Sequence, residues 1–437
     1  MLECYGVASE KNRDTKGVFS MVRNSKLVVF LLAGVLTLAV WPGLTRAETI
    51  RWWVWEWDNP WQEETWTAAV QAFEAQTGID VQIETVVWDQ IASKLRAASI
   101  AGNPPDVVMI LHSDYAWLAR GGFLADITSV AQSDLDLGDF KADALQSVTF
   151  DGRLYGLPWR RVGYALVCNT SLLEEVGILY PPNTFDELKV YAARVTESLD
   201  GVYGWGMPLG RASAAFYRWE NAFFSYGGDW LNEEGTAPAG NFLEAATKAF
   251  QFHLDMAKYA QPTLIEDTDD DVIRLAAAGK IAMWQDHMSA MATIEALFGS
   301  EGVKALEYAY FPEGKYDAAS RTSYRYTSVG GWDIVIPAGT KSFDAAWQFV
   351  MFWVSAENMG ATTLGLPTRI SSMQHPRIAV IPDPFKFGAI KTTLTVPGAA
   401  EVKNVVWEQL QAVVLGQVSP ADAAETVYNK LVDVIGR

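Results

Sequence analysis

The sequence predicts an α/β fold of two or three domains that begins on parallel strands. Three observations carry that expectation. Strand-like and helix-like segments alternate from Thr49 to Leu111. Half of the 437 residues are apolar, enough to bury a large core. Of the two cysteines, only Cys168 lies beyond the N-terminal leader, so burial rather than disulfides must hold the chain.

Thr49–Trp55 reads as a buried strand. Asn59-Pro60 is a cap and first-turn pair for a helix, along which Trp66, Val70 and Phe73 recur at i, i+4 and i+7 as one apolar stripe. Gly78 ends that helix, and Ile79, Val81 and Ile83 alternate as a second strand. A helix follows near Asp89–Ala101, Pro104-Pro105 breaks it, and Asp106–Leu111 is a third strand. Such units are parallel with right-handed crossovers, and ligands sit outside the carboxyl ends of their strands. Glu56–Trp61 and His112–Tyr115 therefore fall on the ligand edge.

Beyond an Asp151-Gly152 turn, Leu154–Pro158 reads as extended. Tyr164–Cys168 is strand-like, with its thiol a small buried hydrophobe rather than a nucleophile. Helices are expected at Phe185–Glu197, Ala212–Phe224, Phe242–Lys258, Asp269–Ala278, Phe343–Val354, Val402–Val414 and Ala421–Val434. Strands are expected at Ile281–Trp284, Glu307–Tyr310 and Trp332–Ile336. No tandem repeat and no long Gly/Ser or Pro-rich linker divides the chain, so the domains are expected to join through several short crossings.

Ahead of the fold, Arg23 and Lys26 precede an apolar run, Leu27–Trp41, then Pro42-Gly43 and the small-residue exit Thr45-Arg46-Ala47. A basic start, a short apolar core and an A-x-A-like end make a secretory signal. The run is shorter than the ~20 residues a membrane-spanning helix needs. Residues 1–47 are read as an extension plus signal peptide, and the rest as exported. No cysteine follows the run at the cleavage point, so a free periplasmic form without a lipid anchor is expected. Removing the six basic and three acidic residues of 1–47 from totals of 34 and 52 leaves 28 against 49, a net charge of −21. That field repels nucleic acid and anionic membranes.

Ten short pieces in order resemble the extracellular solute-binding proteins of ABC sugar importers, the maltose-type family. They are Phe73–Val81, Gly102–Val107, Leu118–Leu124, Asp151–Pro158, Val167–Asn169 (where the family usually writes Tyr-Asn), Gly177–Leu188, Ala277–Met283, Gly330–Trp332, Ala345–Phe349 and Gly365–Arg369. The resemblance implies a two-lobe periplasmic binding protein fold, with a ligand cleft between α/β lobes and crossings near Leu157–Gly163, Ser328–Gly331 and Gly360–Pro367. Lobe 1 would take 48–158 plus 331–360, and lobe 2 would take 159–330 plus 361–437. It further implies a monomeric carrier that binds a small carbohydrate and hands it to transmembrane permease subunits.

A sugar offers apolar C–H faces and a rim of hydroxyls, so its site needs aromatic platforms beside polar side chains. Pairings of that kind occur at expected loop ends. They supply the candidates Trp55, Glu56, Asp58, Asp114, Trp159, Arg160, Asp229, Trp284, Asp286, Trp332 and Arg369. Trp52, Trp53 and Trp66 read as core. No HExxH, cysteine cluster, nucleophile elbow or P-loop occurs, so neither metal nor cofactor is expected. Asp269-Asp270-Asp271 lacks the spaced ligands of a Ca²⁺ loop and reads as the solvated first turn of a helix. Two rivals remain open. A secreted glycosidase would use Glu56 and Asp286 as acid and nucleophile. The same carrier could instead hold a phosphorylated polyol through Arg160, Arg161, Arg211 and Arg369.

Overall fold

The structure, a computed structural model, describes residues 48–436 other than Glu56, Asp58, Asn59, Ser289, Leu364, Arg377, 379–388 and Pro397. The export signal, Glu56, Asp58 and the Asn59 cap lie outside the described residues.

The chain opens as expected, with β1 (Thr49–Val54), α1 (Pro60–Thr77), β2 (Asp80–Thr85), α2 (Ile91–Ile100) and β3 (Val107–Leu111). Strand β1 pairs in parallel with both β2 and β3, and Trp52 is in register with Ile83 on one side and Val107 on the other. The α1 stripe of Trp66, Val70 and Phe73 is buried, and Gly78 takes a φ of +73° where the helix stops.

From β3 the chain enters α3 (His112–Arg120), α4 (Thr128–Asp134) and α5 (Ala142–Ser147), then the small ladder of β4 (Thr149–Phe150) and β5 (Arg153–Leu154). His112–Tyr115 is thus the first turn of a helix rather than a loop end. Tyr115 and Leu118 stand three apart and are buried on one face, which fixes the helical path.

The long strand β6 (Leu157–Asn169) follows, then α6 (Thr170–Glu175), α7 (Phe185–Ser198), α8 (Ala212–Ser225), α9 (Phe242–Ala257) and α10 (Asp269–Ala277). Next come β7 (Met283–His287), α11 (Ala290–Phe298), β8 (Leu306–Ala309), the hairpin strands β9 (Lys315–Asp317) and β10 (Thr322–Tyr324), and a second long strand, β11 (Tyr326–Val335). The remainder is α12 (Phe343–Trp353), α13 (Ala356–Thr362), β12 (Leu366–Pro367), β13 (Ala389–Thr392), α14 (Ala399–Val414) and α15 (Pro420–Ile435).

The main sheet runs β12-β6-β11-β3-β1-β2. Strand β11 lies antiparallel to β3 at one end and to β6 along its middle, while β7 and β8 pair with the far end of β6. Two large apolar cores form on this frame, with smaller clusters beside them. One gathers Trp52, Trp66, Phe73, Trp159, Phe349 and Trp353, with Trp52 and Trp353 ring centroids 4.6 Å apart. The other gathers Trp219, Phe223, Trp230, Phe242 and Phe250, with Trp219 and Phe223 stacked at 5.1 Å. The thiol of Cys168 is wholly buried in the second core, and burial pushes its pKa up, consistent with an inert side chain.

Between the cores, the middle of β6 carries β11 on one edge and β12 on the other. Gly331 pairs with Arg161, and so does Leu366 from the opposite side. At this junction a β-carbon on Gly331 would stand 2.2 Å from the Arg160 carbonyl oxygen. Gly331→Ala is therefore expected to lower unfolding free energy by ~1–3 kcal/mol in urea titration. A change under ~0.5 kcal/mol would show that the ladder yields there at little cost.

Candidate functional site

A cleft of about 660 Å³ lies where the two cores face each other. One wall is built from the carboxyl ends of the parallel strands, as the strand rule requires. Trp55 follows β1, Thr85 to Trp88 follow or end β2, and Leu111 ends β3, with Trp332 beside them on β11. The indoles of Trp55 and Trp332 are stacked at 4.5 Å with planes 22° apart. This wall is almost wholly apolar.

The opposite wall is polar. It is formed by Arg211 before α8, Ala214 and Tyr217 on α8, Asp269, Asp270 and Ile273 on α10, His287 ending β7, and Thr293 and Leu297 on α11. Tyr164 on β6 stacks on Tyr217 at 5.8 Å. Arg160, Val162, Gly330 and Gly331 make the floor.

Arg218 sets the polar wall from behind. Fully enclosed, its guanidinium lies 2.7 Å from Asp269 Oδ1 and 3.5 Å from Asp286 Oδ1. It also donates to the Gln285 and Ala214 carbonyls. Burial disfavours its charge, but Asp269 and Asp286 more than offset that and hold its pKa above the ordinary value. One buried cation thus ties α8, α10 and β7 together. A second buried cluster braces the floor: Asp333 Oδ1 accepts from Arg161 at 2.9 Å, and Asp333 Oδ2 meets His112 Nδ1 at 2.8 Å.

Of the eleven sequence candidates, Trp55, Arg160 and Trp332 line the cleft, with Arg160 lying 5.3 Å from the Trp55 ring centroid. Glu56 and Asp58 fall outside the described residues. Trp159 is fully buried in the first core, 5.7 Å from Trp66, because its strand position points away from the floor. Trp284 is equally buried, packed with Val167, Ile273 and Ile294, and its indole nitrogen donates to Asp286 at 2.9 Å. Asp286 has no exposed surface and is spent on that bond and on Arg218. Asp114 accepts from Trp117 at 3.1 Å along α3 itself. Asp229 pairs with Lys391 at 2.5 Å, and Arg369 with Asp139 at 2.8 Å beside Phe140, none of them in the cleft lining.

Residues not singled out for a sugar site fill the rest. Trp88 follows from the same strand rule applied to β2, which was applied only to β1 and β3. All three acids do form the first turn of α10, with Asp271 in a capping box with Thr268; Asp269 and the exposed Asp270 in addition line the open cleft. Tyr217 and Arg211 had no local signal beyond an aromatic and a cation near a helix start.

Of the glycosidase pair, Asp286 is enclosed, and Glu56 lies outside the described residues. For the phosphate clamp, Arg161 and Arg369 are committed to Asp333 and Asp139, leaving only Arg160 and Arg211 in the cleft. Among the described residues, no group of His, Cys, Asp and Glu is placed to hold a metal ion.

Two α/β halves joined by long shared strands, with a cleft between them, define the two-lobe binding proteins of the periplasmic type. The chain belongs to the bacterial extracellular solute-binding protein family, whose model matches residues 59–360. It is 27% identical over 405 residues to the diacetylchitobiose binding protein DasA of Streptomyces coelicolor, covering 88% of this chain and 89% of that one. It is 23% identical over 347 residues to a maltotriose-binding protein of Pyrococcus abyssi, covering 77% and 70%. Among solved structures, the GacH receptor of Streptomyces glaucescens, studied with acarbose, superposes with a TM-score of 0.76 at 24% identity, over 89% of this chain and 99% of that one.

The floor cluster has a stated pH dependence. Burial alone would raise the Asp333 carboxyl, but Arg161 and His112 overcome it and hold the pKa below the usual range. The stabilisation is then full above the unfolded value of ~3.9 and is lost as pH falls through the folded pKa. Asp333→Asn is expected to lower stability at pH 7 by ~3 kcal/mol, because the half-buried Arg161 loses its counter-charge inside the fold. The gap between wild type and variant should narrow in denaturation curves taken toward pH 3; a constant gap would contradict the assignment.

Proposed function

We propose that this chain captures a neutral sugar or oligosaccharide by closing two lobes over it, then delivers it to the transmembrane permease of an ABC importer. The single observation that carries this reading is the division of the cleft. Trp55, its indole stacked on the nearly buried Trp332, offers flat apolar surface on one side, and Arg211, Asp269, Asp270, His287 and Thr293 offer hydrogen-bonding groups on the other. A ring with C–H faces and a hydroxyl edge satisfies both walls at once, whereas an apolar ligand would leave the polar wall unpaired. The relatives named for diacetylchitobiose and maltotriose support the same class of cargo.

The lobes in this reading are 48–158 with 331–360, and 159–330 with 361–437. The separation of the two apolar cores supports that division, with Trp159 packing into the first core across the boundary. The chain acts as a binder and not as an enzyme, as a monomer, free in the periplasm after removal of its leader and without affinity for nucleic acid. Closure shifts with ligand only as far as affinity differs between open and closed forms.

Titration with a panel of neutral mono- and oligosaccharides is expected to change tryptophan emission saturably, without new reducing ends appearing. Trp332→Ala should raise the Kd of the bound sugar about 10–30-fold, roughly 1.4–2 kcal/mol, with far-UV circular dichroism unchanged. Cleavage of any panel member, or full affinity in the Trp332 variant, would overturn the reading.

A further inference from the structure

Lys403 stands on α14, in the second core's layer, yet its ammonium lies 2.8 Å from Ser113 Oγ on α3, which belongs to the first. The same nitrogen lies 3.5 Å from the Tyr217 hydroxyl and 5.3 Å from the ring centroids of Phe216 and Tyr217. Tyr217 lines the polar wall and Leu111, two residues before Ser113, lines the apolar wall, while neither Lys403 nor Ser113 lines the cavity itself. The Ser113–Lys403 bond therefore joins an element of each wall beside the cavity, outside its lining.

Resting on the carbohydrate reading above, we propose that Lys403 and Ser113 form a strut across the cleft that closes its Leu111–Tyr217 end and so limits how many sugar rings the site accepts.

Three features make this a built contact. First, the ammonium lies over two aromatic rings as well as against Ser113, so several partners hold it in one place. Second, the ammonium is the counter-charge for buried carboxyls on both sides. Burial raises the Asp114 carboxyl beside Ser113, and Lys403 opposes the rise. Burial also raises the Glu220 carboxyl on α8, to about 7, with Trp230 first and Lys403 next in opposing it. A cation set between acids of the two halves has a reason to stay in the gap. Third, a sugar chain growing past Leu111 and Tyr217 would have to displace that ammonium from Ser113 and from its two ring faces. The gain would be solvent-facing hydroxyl contacts of little net worth.

The test uses Lys403→Met, which keeps the apolar stem, and Ser113→Ala, which keeps the cation in place and guards against a folding defect in the first variant. Malto-oligosaccharides and N-acetylated chito-oligosaccharides of one to five rings are titrated against each protein by calorimetry. For whichever series wild type binds, the affinity of the first chain length it discriminates against should rise about tenfold relative to its best ligand in Lys403→Met, and by a smaller factor in Ser113→Ala. A length profile within twofold of wild type in both variants overturns the strut. Small-angle scattering of the ligand-free proteins reads the same contact without sugar. A larger radius of gyration in both variants supports it, and an unchanged radius in both overturns it. If wild type binds no member of either series, the carbohydrate reading fails by itself, and the scattering arm still decides the strut.

Discussion

The antiparallel pairing of Leu157–Asn169 with Tyr326–Val335 is the constraint on which the rest of the molecule depends. Each strand begins in one core and ends in the other, so the two halves share backbone hydrogen bonds rather than a tether. The ladder places Gly330 and Gly331 opposite Val162 and Arg161 at the cleft floor, and the register shifts at Trp332/Asp333. That bulge turns Trp332 onto the apolar wall and Asp333 into the interior. A buried carboxylate at the junction is tolerable only when paired, and Arg161 reaches it from the middle of β6 and His112 from the start of α3. The charge cluster therefore fixes the relative placement of three elements where apolar packing alone would allow sliding.

Much of this frame was legible in the sequence, for identifiable reasons. The first βαβαβ unit announces itself because α1 is long enough for a clear 3.6-residue stripe and its strands are short apolar runs between breakers. From that unit alone the strand-end rule locates the apolar wall, and Trp55 and Trp332 reach the cleft as expected. The opposite wall was far less readable. Trp284 beside Asp286 looks like a platform next to a hydrogen-bonding group. In the structure the two bond to each other inside the second half, because alternate residues of β7 point toward α10 and α11. The α11 helix itself gave no signal, being short and apolar nearly all round, a pattern that cannot separate a buried helix from a strand. Asp269 and Asp270 were read from their local position at a helix start. Asp269 pairs with Arg218, some fifty positions earlier, a pairing no local pattern contains.

The two walls also differ in how firmly they are held. Trp55 and Trp332 support each other and rest on the first core, so the apolar surface is organised before any ligand arrives. On the other side Asp269 is pinned by Arg218, while Asp270 and Arg211 are exposed. Side chains that keep their freedom in the open cleft lose it when they bond a ligand, and that loss offsets part of each bond. Affinity should thus rest on the indole face, and discrimination among sugars on the groups opposite it.

Charge narrows the cargo further. Five arginines lie near the cleft, and a count of cations alone would suggest an anionic ligand. Three of them are already committed: Arg161 to Asp333, Arg369 to Asp139, and Arg218 to Asp269 and Asp286. Of the two that line the cleft, Arg160 lies against the rings of Trp55 and Trp159, an environment that favours a shielded guanidinium over a forked phosphate grip. Arg211 shares its wall with Asp269 and Asp270. A doubly charged anion seated there would face two carboxylates across one small cavity, inside a chain whose residues 48–437 carry −21. Hydroxyl groups accept from guanidinium and donate to carboxylate with equal ease. A polyhydroxylated neutral ring therefore meets both kinds of group without leaving a charge uncompensated, and the mixed wall is better matched to it than to a phosphate.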